Sequence, residues 1–171
     1  ISASKNIAEK ALSNIKYTYY PNNPDDSDEY KLTKQLEDVI NMYKELKIVQ
    51  EETLTNAGFD TALDFTEHLI QDHYLTDVIN EDGRPKTPKE MGYTGGMSSI
   101  NVAYLAADVH QMALHIGISE GFYEEYGIHV DLKGPYPAGG EVMNALLSKH
   151  ANLGFVGSPP VVLSSINALR G

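Results

Sequence analysis

The chain has 171 residues, 42% of them apolar, which is enough for one domain with a core of its own, and it has no run of about 18 apolar residues that would cross a membrane as a helix. A net charge of −11 disfavours nucleic acid as a partner, because phosphate contacts need clustered Lys and Arg. With no cysteine, disulfides, thiolate nucleophiles and cysteine zinc sites are excluded, while the compartment stays open.

The acid is uneven. Residues 1–82 carry 17 acids against 7 bases and residues 98–171 carry 6 against 3, while the short middle holds Arg84, Lys86 and Lys89 against Glu90. Such a first half reads as a solvated face. The opening Ile1-Ser2-Ala3-Ser4-Lys5 has neither an initiator Met nor a signal pattern, which suggests a processed, truncated or excised piece.

Residues 1–80 read as mainly helical. Lys5 to Asn14 is a short helix with Ile7, Ala8, Ala11 and Leu12 on one stripe, and Ile15 to Tyr19 alternates as a strand does. Pro21 to Asp26 has turn chemistry, and Ser27 or Asp28 could cap the next helix. That helix is the clearest of the block, with Leu32, Leu36, Val39, Ile40, Tyr43 and Leu46 at helical spacing. Thr55-Asn56-Ala57-Gly58 breaks the chain. Asp60 or Thr61 then starts helical segments carrying Leu63, Phe65, Leu69, Ile70, Tyr74, Leu75 and Val78. Residues 81–98, dense in Pro and Gly, read as a linker or exposed loop.

Residues 99–171 change character. Ile100 to Leu105 is an apolar strand, predicted to be buried on both faces. Val109 to Glu120 follows as a helix with Met112, Ala113, Ile116 and Gly117 inward, and Gly127 stands where a helix end needs a left-handed residue. Ile128–Leu132 is the next strand, Gly139-Gly140-Glu141 opens a helix holding Val142, Ala145, Leu146 and Leu147, and Asn152–Val156 is the third strand. Ser158-Pro159 reads as an N-cap and first helical position of a helix from about Val161 to Leu169. Alternating strands and helices predict an α/β fold with a mainly parallel sheet.

In such a sheet ligands bind at the carboxyl ends of the strands. Three loops fall there: 106–111, 134–140 and 157–160. Each leads into a helix amino terminus, where free N–H groups and the dipole favour an anion. The candidate ligand-binding residues are Asp108, His110, Gln111, Gly139, Gly140, Gly157, Ser158 and Pro159. Each also has a structural reading. Ser158 can simply cap its helix, a Gly139-Gly140 pair can serve a positive-φ turn, and a loop histidine is more often a surface hydrogen-bonder than a catalyst. His110 and His115 are five apart, on different helical faces, which argues against a paired metal site. Ser2-Ala3-Ser4-Lys5 formally matches S-x-x-K, but sits at a terminus with no partner motif. The residues give no catalytic set, metal site or cofactor motif.

Asn101-Val102-Ala103-Tyr104, then Ile118 to Val130 (ISEGFYEEYGIHV), Ala138-Gly139-Gly140-Glu141 through Ala145-Leu146-Leu147, and Asn152 to Pro160 (NLGFVGSPP) come in one order. In that order residues 100–171 resemble the nitrate/sulfonate/taurine group of periplasmic solute-binding proteins of ABC importers, which also includes binders of thiamine pyrimidine precursors. Ser148-Lys149-His150-Ala151 departs from the family's usual Gly before an acidic residue. Lys5 to Tyr20, the helix over Leu32–Leu46, Ala57-Gly58-Phe59-Asp60 and Tyr74-Leu75 are similar to the family's carboxy-terminal tail, a softer match.

The order of the two parts is inverted and the middle lobe is missing. The resemblance therefore implies one three-layer αβα lobe of a type II binding protein, in permuted order. A fragment across the junction of tandem copies, a natural permutation and a piece cut to this length would each produce it. On this resemblance residues 1–80 form the tail-like helical part, 81–98 a linker and 99–171 the head-like part of the same lobe. It further implies a small anionic ligand such as a sulfonate, nitrate or taurine, a membrane permease as partner, an extracytoplasmic location and no enzymatic activity. The alternatives are a thiamine-pyrimidine synthase-like enzyme with a reactive His110, or a non-binding fragment that forms a homodimer, swapped about the 81–98 hinge.

Overall fold

A computed structural model describes residues 31–71 and 73–169. The helix and strand expected over residues 5–19, the loop over 21–26 and the caps Ser27 and Asp28 lie outside them. The fold is α/β with a parallel sheet, as expected.

Helix α1 spans Leu32–Glu45, with Lys31 at its N-cap position and no side-chain cap. It buries Leu36 and Ile40, while Leu32, Val39 and Tyr43 pack partly against the same cluster. Leu46, expected on this stripe, is 62% exposed, because the helix has already ended and Lys47 turns the chain in a left-handed conformation. A short helix α2 (Glu52–Asn56) ends at Gly58, whose φ of +90° suits glycine alone. Helix α3 (Ala62–Leu69) starts at Thr61, whose hydroxyl accepts from the Asp64 N–H at 3.0 Å, one of the two caps foreseen. Helix α4 is His73–Val78.

Residues 79–97 are a series of tied turns. Ile79 and Pro85 form an isolated antiparallel bridge, and Thr87 and Glu90 make a reciprocal capping box. Tyr126 Oη donates to the Lys86 carbonyl at 2.9 Å, and the Tyr93 ring lies over Gly127, where any side chain would collide with it. Gly127 has φ +71°, the left-handed helix end its sequence position suggested.

Strand β1 is Ser98–Leu105, β2 is Ile128–Tyr136 and β3 is Leu153–Gly154. All pair in parallel in the order β2-β1-β3, so β1 is central. Val102 and Ala103 are adjacent and both buried, so β1 is covered on both faces there. Strand β2 runs four residues beyond the expected Leu132, and β3 is shorter than the expected Asn152–Val156.

After β1 comes a 3₁₀ turn (Val109–Gln111) leading into α5 (Met112–Ser119), then the short α6 (Phe122–Glu125). The inward face of this segment differs from the expected one. Gln111, Leu114 and Gly117 are buried, whereas Met112 and Ile116 are 52% and 47% exposed and Ala113 also faces out. Gln111, Leu114 and Gly117, three residues apart, turn inward, and the adjacent stripe of Met112, Ala113 and Ile116 is left to solvent. Only Gly117 was placed correctly. It is pressed against Tyr123, whose ring carbon would lie 2.6 Å from an added Cβ.

Helix α7 (Gly139–Leu147) follows β2, and α8 (Ser158–Ala168) follows β3. Val142 and Ala145 of α7 bury against Ala103 of β1. Val162 and Ile166 of α8 instead join Leu36, Ile40, Val49, Leu54 and Phe65 in the larger cluster. Helix α8 thus fastens the helical first part of the chain to the sheet-bearing part. Among the described residues no helix is long and apolar enough to cross a membrane.

Candidate functional site

Because the strands are parallel and adjacent, the three loops after them leave the same edge of the sheet. The loop after β1 turns at Ala107, a non-glycine residue at φ +54°, a conformation that costs an L-residue about 1 kcal/mol. Asp108 then caps the 3₁₀ turn: its Oδ1 accepts from the His110 backbone N–H at 2.9 Å and lies 2.7 Å from His110 Nδ1. These contacts, the backbone one first, hold the Asp108 carboxyl below the usual carboxylate range, so it is ionised at neutral pH. His110 itself projects into solvent. Gln111 is 2% exposed and turns inward, accepting from the Leu105 N–H at 2.9 Å and facing the Leu105 carbonyl at 3.4 Å. Its amide completes the backbone bonding of the strand end and leaves the rim.

The loop after β2 is fastened to the first. Leu105 pairs with Tyr136, and the Ala106 N–H donates to the Tyr136 carbonyl at 2.8 Å. Gly134 makes this register possible. Its φ is +126°, and an added Cβ would lie 3.0 Å from both the Tyr104 carbonyl oxygen and the Tyr136 nitrogen. Ala138 is the extended N-cap of α7, without a side-chain cap. The Gly139 and Gly140 amides precede the first intrahelical donor, the Glu141 N–H, which bonds to the Ala138 carbonyl at 3.1 Å, so the helix offers them no acceptor.

Neither Gly139 nor Gly140 is a positive-φ residue, so that reading of the pair does not hold. Gly139 is small for contact instead: an added Cβ would lie 2.7 Å from Pro160 Cγ and 2.9 Å from Val156 Cγ2. The loops after β2 and β3 therefore touch. Around Gly140 an added Cβ meets nothing within 4 Å, so the backbone there is open to approach.

In the third loop the N-cap of α8 is Gly157, not Ser158, and no side chain caps the helix. Ser158 is the first helical residue, with Pro159 and Pro160 behind it. The two prolines have no N–H, so of the four amides normally free at a helix start, those of the N-cap and the three residues after it, only Gly157 and Ser158 remain. The Val161 and Val162 amides lie beyond these four, at positions whose N–H groups bond within a helix. The Pro159 carbonyl accepts from Tyr43 Oη at 3.3 Å, which ties α1 to this loop.

The edge is divided. One cleft of about 370 Å³ lies between the first two loops, lined by Tyr104, Ala107, Asp108, Met112, His115 and Pro135 among others. A second, of about 310 Å³, holds Val156, Ser158 and Val161 against Leu36 of α1 and Leu69 and Ile70 at the end of α3. A third, of about 400 Å³, lies along α7 between Tyr136, Glu141, Asn144 and His150. Asp108 and Ser158 thus line different clefts, with Gly139 at the contact between loops two and three. No Lys or Arg occurs in residues 106–111, 134–140 or 157–161, so main-chain amides are what these loops offer an anion.

Tyr104, Met112, His115 and Pro135 were not among the candidate ligand-binding residues. Tyr104 reads as part of an apolar strand, Met112 as an inward helix residue and His115 as part of the same helical run, and only the tertiary structure brings them together. Among the described residues no group of three His, Cys, Asp or Glu is placed to hold a metal ion.

No protein-family model, no curated protein and no solved structure matches the chain.

Proposed function

We propose that the chain is a ligand-binding lobe, or part of one, of a solute receptor that serves an ABC importer outside the cytoplasm. The observation that carries the reading is the gathering of three strand-to-helix loops at the carboxyl edge of a parallel sheet, two of them in contact through Gly139 and Pro160. The motif order over residues 100–171 supports the same reading. A small anionic group, such as a sulfonate or nitrate, would be met by the Gly139 and Gly140 amides and by those of Gly157 and Ser158. In such receptors two lobes close on the ligand like a clamp, so a single lobe supplies part of the contacts and binds weakly.

The test is an amide NMR titration of the chain with nitrate, ethanesulfonate and taurine up to about 20 mM, a range suited to millimolar dissociation constants. The expected result is saturable shifts at Gly139, Gly140, Gly157 and Ser158. Shifts confined to other parts of the chain, or none in the three loops with any of these solutes, would overturn the reading.

A further inference from the structure

The cleft beside the first loop has the wrong chemistry for an anion. Among the described residues its one acidic side chain is Asp108, 26% exposed, and the charge of the whole chain is −11. The rest of the described lining is aromatic or apolar. Tyr104 and His115 meet edge to face with ring centroids 5.3 Å apart, and Met112, Val109 and Pro135 complete the walls. Met112 and Val109 are 52% and 69% exposed, so these walls are apolar surface left open to solvent beside a carboxylate. Among the described residues the positively chargeable groups near it are His110, whose Nδ1 is already engaged by Asp108, and His115, and no Lys or Arg lines the cleft.

A carboxylate bordered by an aromatic ring and a thioether is a setting that attracts an organic cation. The acid supplies the long-range attraction, and the ring face and apolar walls accept the alkyl groups that such a cation carries. We propose that this cleft binds an alkylammonium group, so that a solute spanning the edge carries a positive, partly apolar end at Asp108. Asp108 is held ionised by its contacts to His110, which suits that role. The inference rests on the preceding reading only in taking this edge as the solute-facing one.

The probes are choline and its uncharged isostere 3,3-dimethyl-1-butanol, followed by NMR at the Met112 methyl and the Tyr104 and His115 rings. Choline is expected to shift these signals and to bind about five-fold or more tighter than the isostere. The preference should shrink as salt is raised and vanish in Asp108→Asn, where asparagine retains the capping oxygen and hence the loop. Equal binding of the two probes, or no shift at these three residues with choline, overturns the proposal. Nitrate and ethanesulfonate report separately at Gly139 and Ser158. Choline binding without any anion response would therefore leave this inference standing and remove the anion reading, and the reverse result would do the opposite.

Discussion

The side-chain amide of Gln111 stands in for a neighbouring strand at Leu105, its Oε1 2.9 Å from the Leu105 nitrogen and its Nε2 3.4 Å from the Leu105 oxygen. Strand β1 is central, yet by Leu105 β3 has already ended, and Gln111 takes over the bonding on that stretch. Gln111→Ala would leave a part-buried N–H and C=O without partners, at a cost of about 1–3 kcal/mol in urea denaturation. Hydrogen exchange at the Leu105 amide should accelerate with it. Unchanged exchange would show that the side chain does not hold the strand end.

Glu90 offers a separate test in the joint. Hydrogen bonding to Arg84, then to the Thr87 N–H and hydroxyl, pushes its carboxyl down to about 2. Since the folded value lies below the unfolded one, the stabilisation is complete above the ordinary carboxylate range and is lost as pH falls through about 2. A carboxyl NMR titration should find Glu90 near that value, and Arg84→Ala should move it up toward the ordinary range. A normal titration in the native chain would mean that the capping box is not formed in solution.

Asp108 follows the same sign, with its carboxyl lowered by the His110 contacts, so its capping contribution is present above the unfolded carboxylate range and lost on acidification. Asp108→Ala should cost about 1 kcal/mol, typical of a lost cap, and Asp108→Asn much less. Equal losses in both variants, measured by thermal unfolding at neutral pH, would assign the effect to charge and not to the cap.

Gly154 admits α7 to the sheet. An added Cβ would lie 2.9 Å from Val142 Cγ1 and 3.0 Å from Leu146 Cδ1. Gly154→Val is expected to destabilise by about 1–3 kcal/mol through overpacking, and Val142→Ala in the same chain should recover part of the loss. Additive losses would place the clash elsewhere.

Phe65 is 1% exposed and meets Phe59 edge to face at 5.1 Å. Phe65→Ala should cost about 3–5 kcal/mol. Because α8 shares this cluster, the loss should appear in one unfolding transition, and signals from the sheet should disappear with those from α1. Two separated transitions would show that the helical part and the sheet unfold independently.

The alternation of apolar runs with Gly and Ser punctuation from Ile100 onward is strong enough to reveal the parallel strands and the helices between them. Thr61 and Gly127 were legible for local reasons, a hydroxyl three residues before Asp64 and a glycine at a helix end. The inward face of α5 was not legible, since Met112, Ala113, Leu114, Ile116 and Ile118 put apolar residues on every side of the helix and residue type does not mark the buried stripe. At the site, Asp108 and Gln111 stood out as polar residues in an apolar setting. Whether such a residue turns to solvent or back onto its own backbone depends on where the neighbouring strand stops, which is a tertiary fact. Ser158 shows the opposite difficulty, a familiar Ser-Pro start signal displaced by one residue where the chain enters α8 from Gly157.

Gly139 and Pro160 touch where a single methyl group would not fit. The starts of α7 and α8 are therefore braced against each other and can shift little without moving together. A displacement at the start of α8 would therefore be passed through Pro160 and Gly139 to the start of α7. Gly139→Ala would force the two helix starts apart and turn one coupled rim into two separate ones.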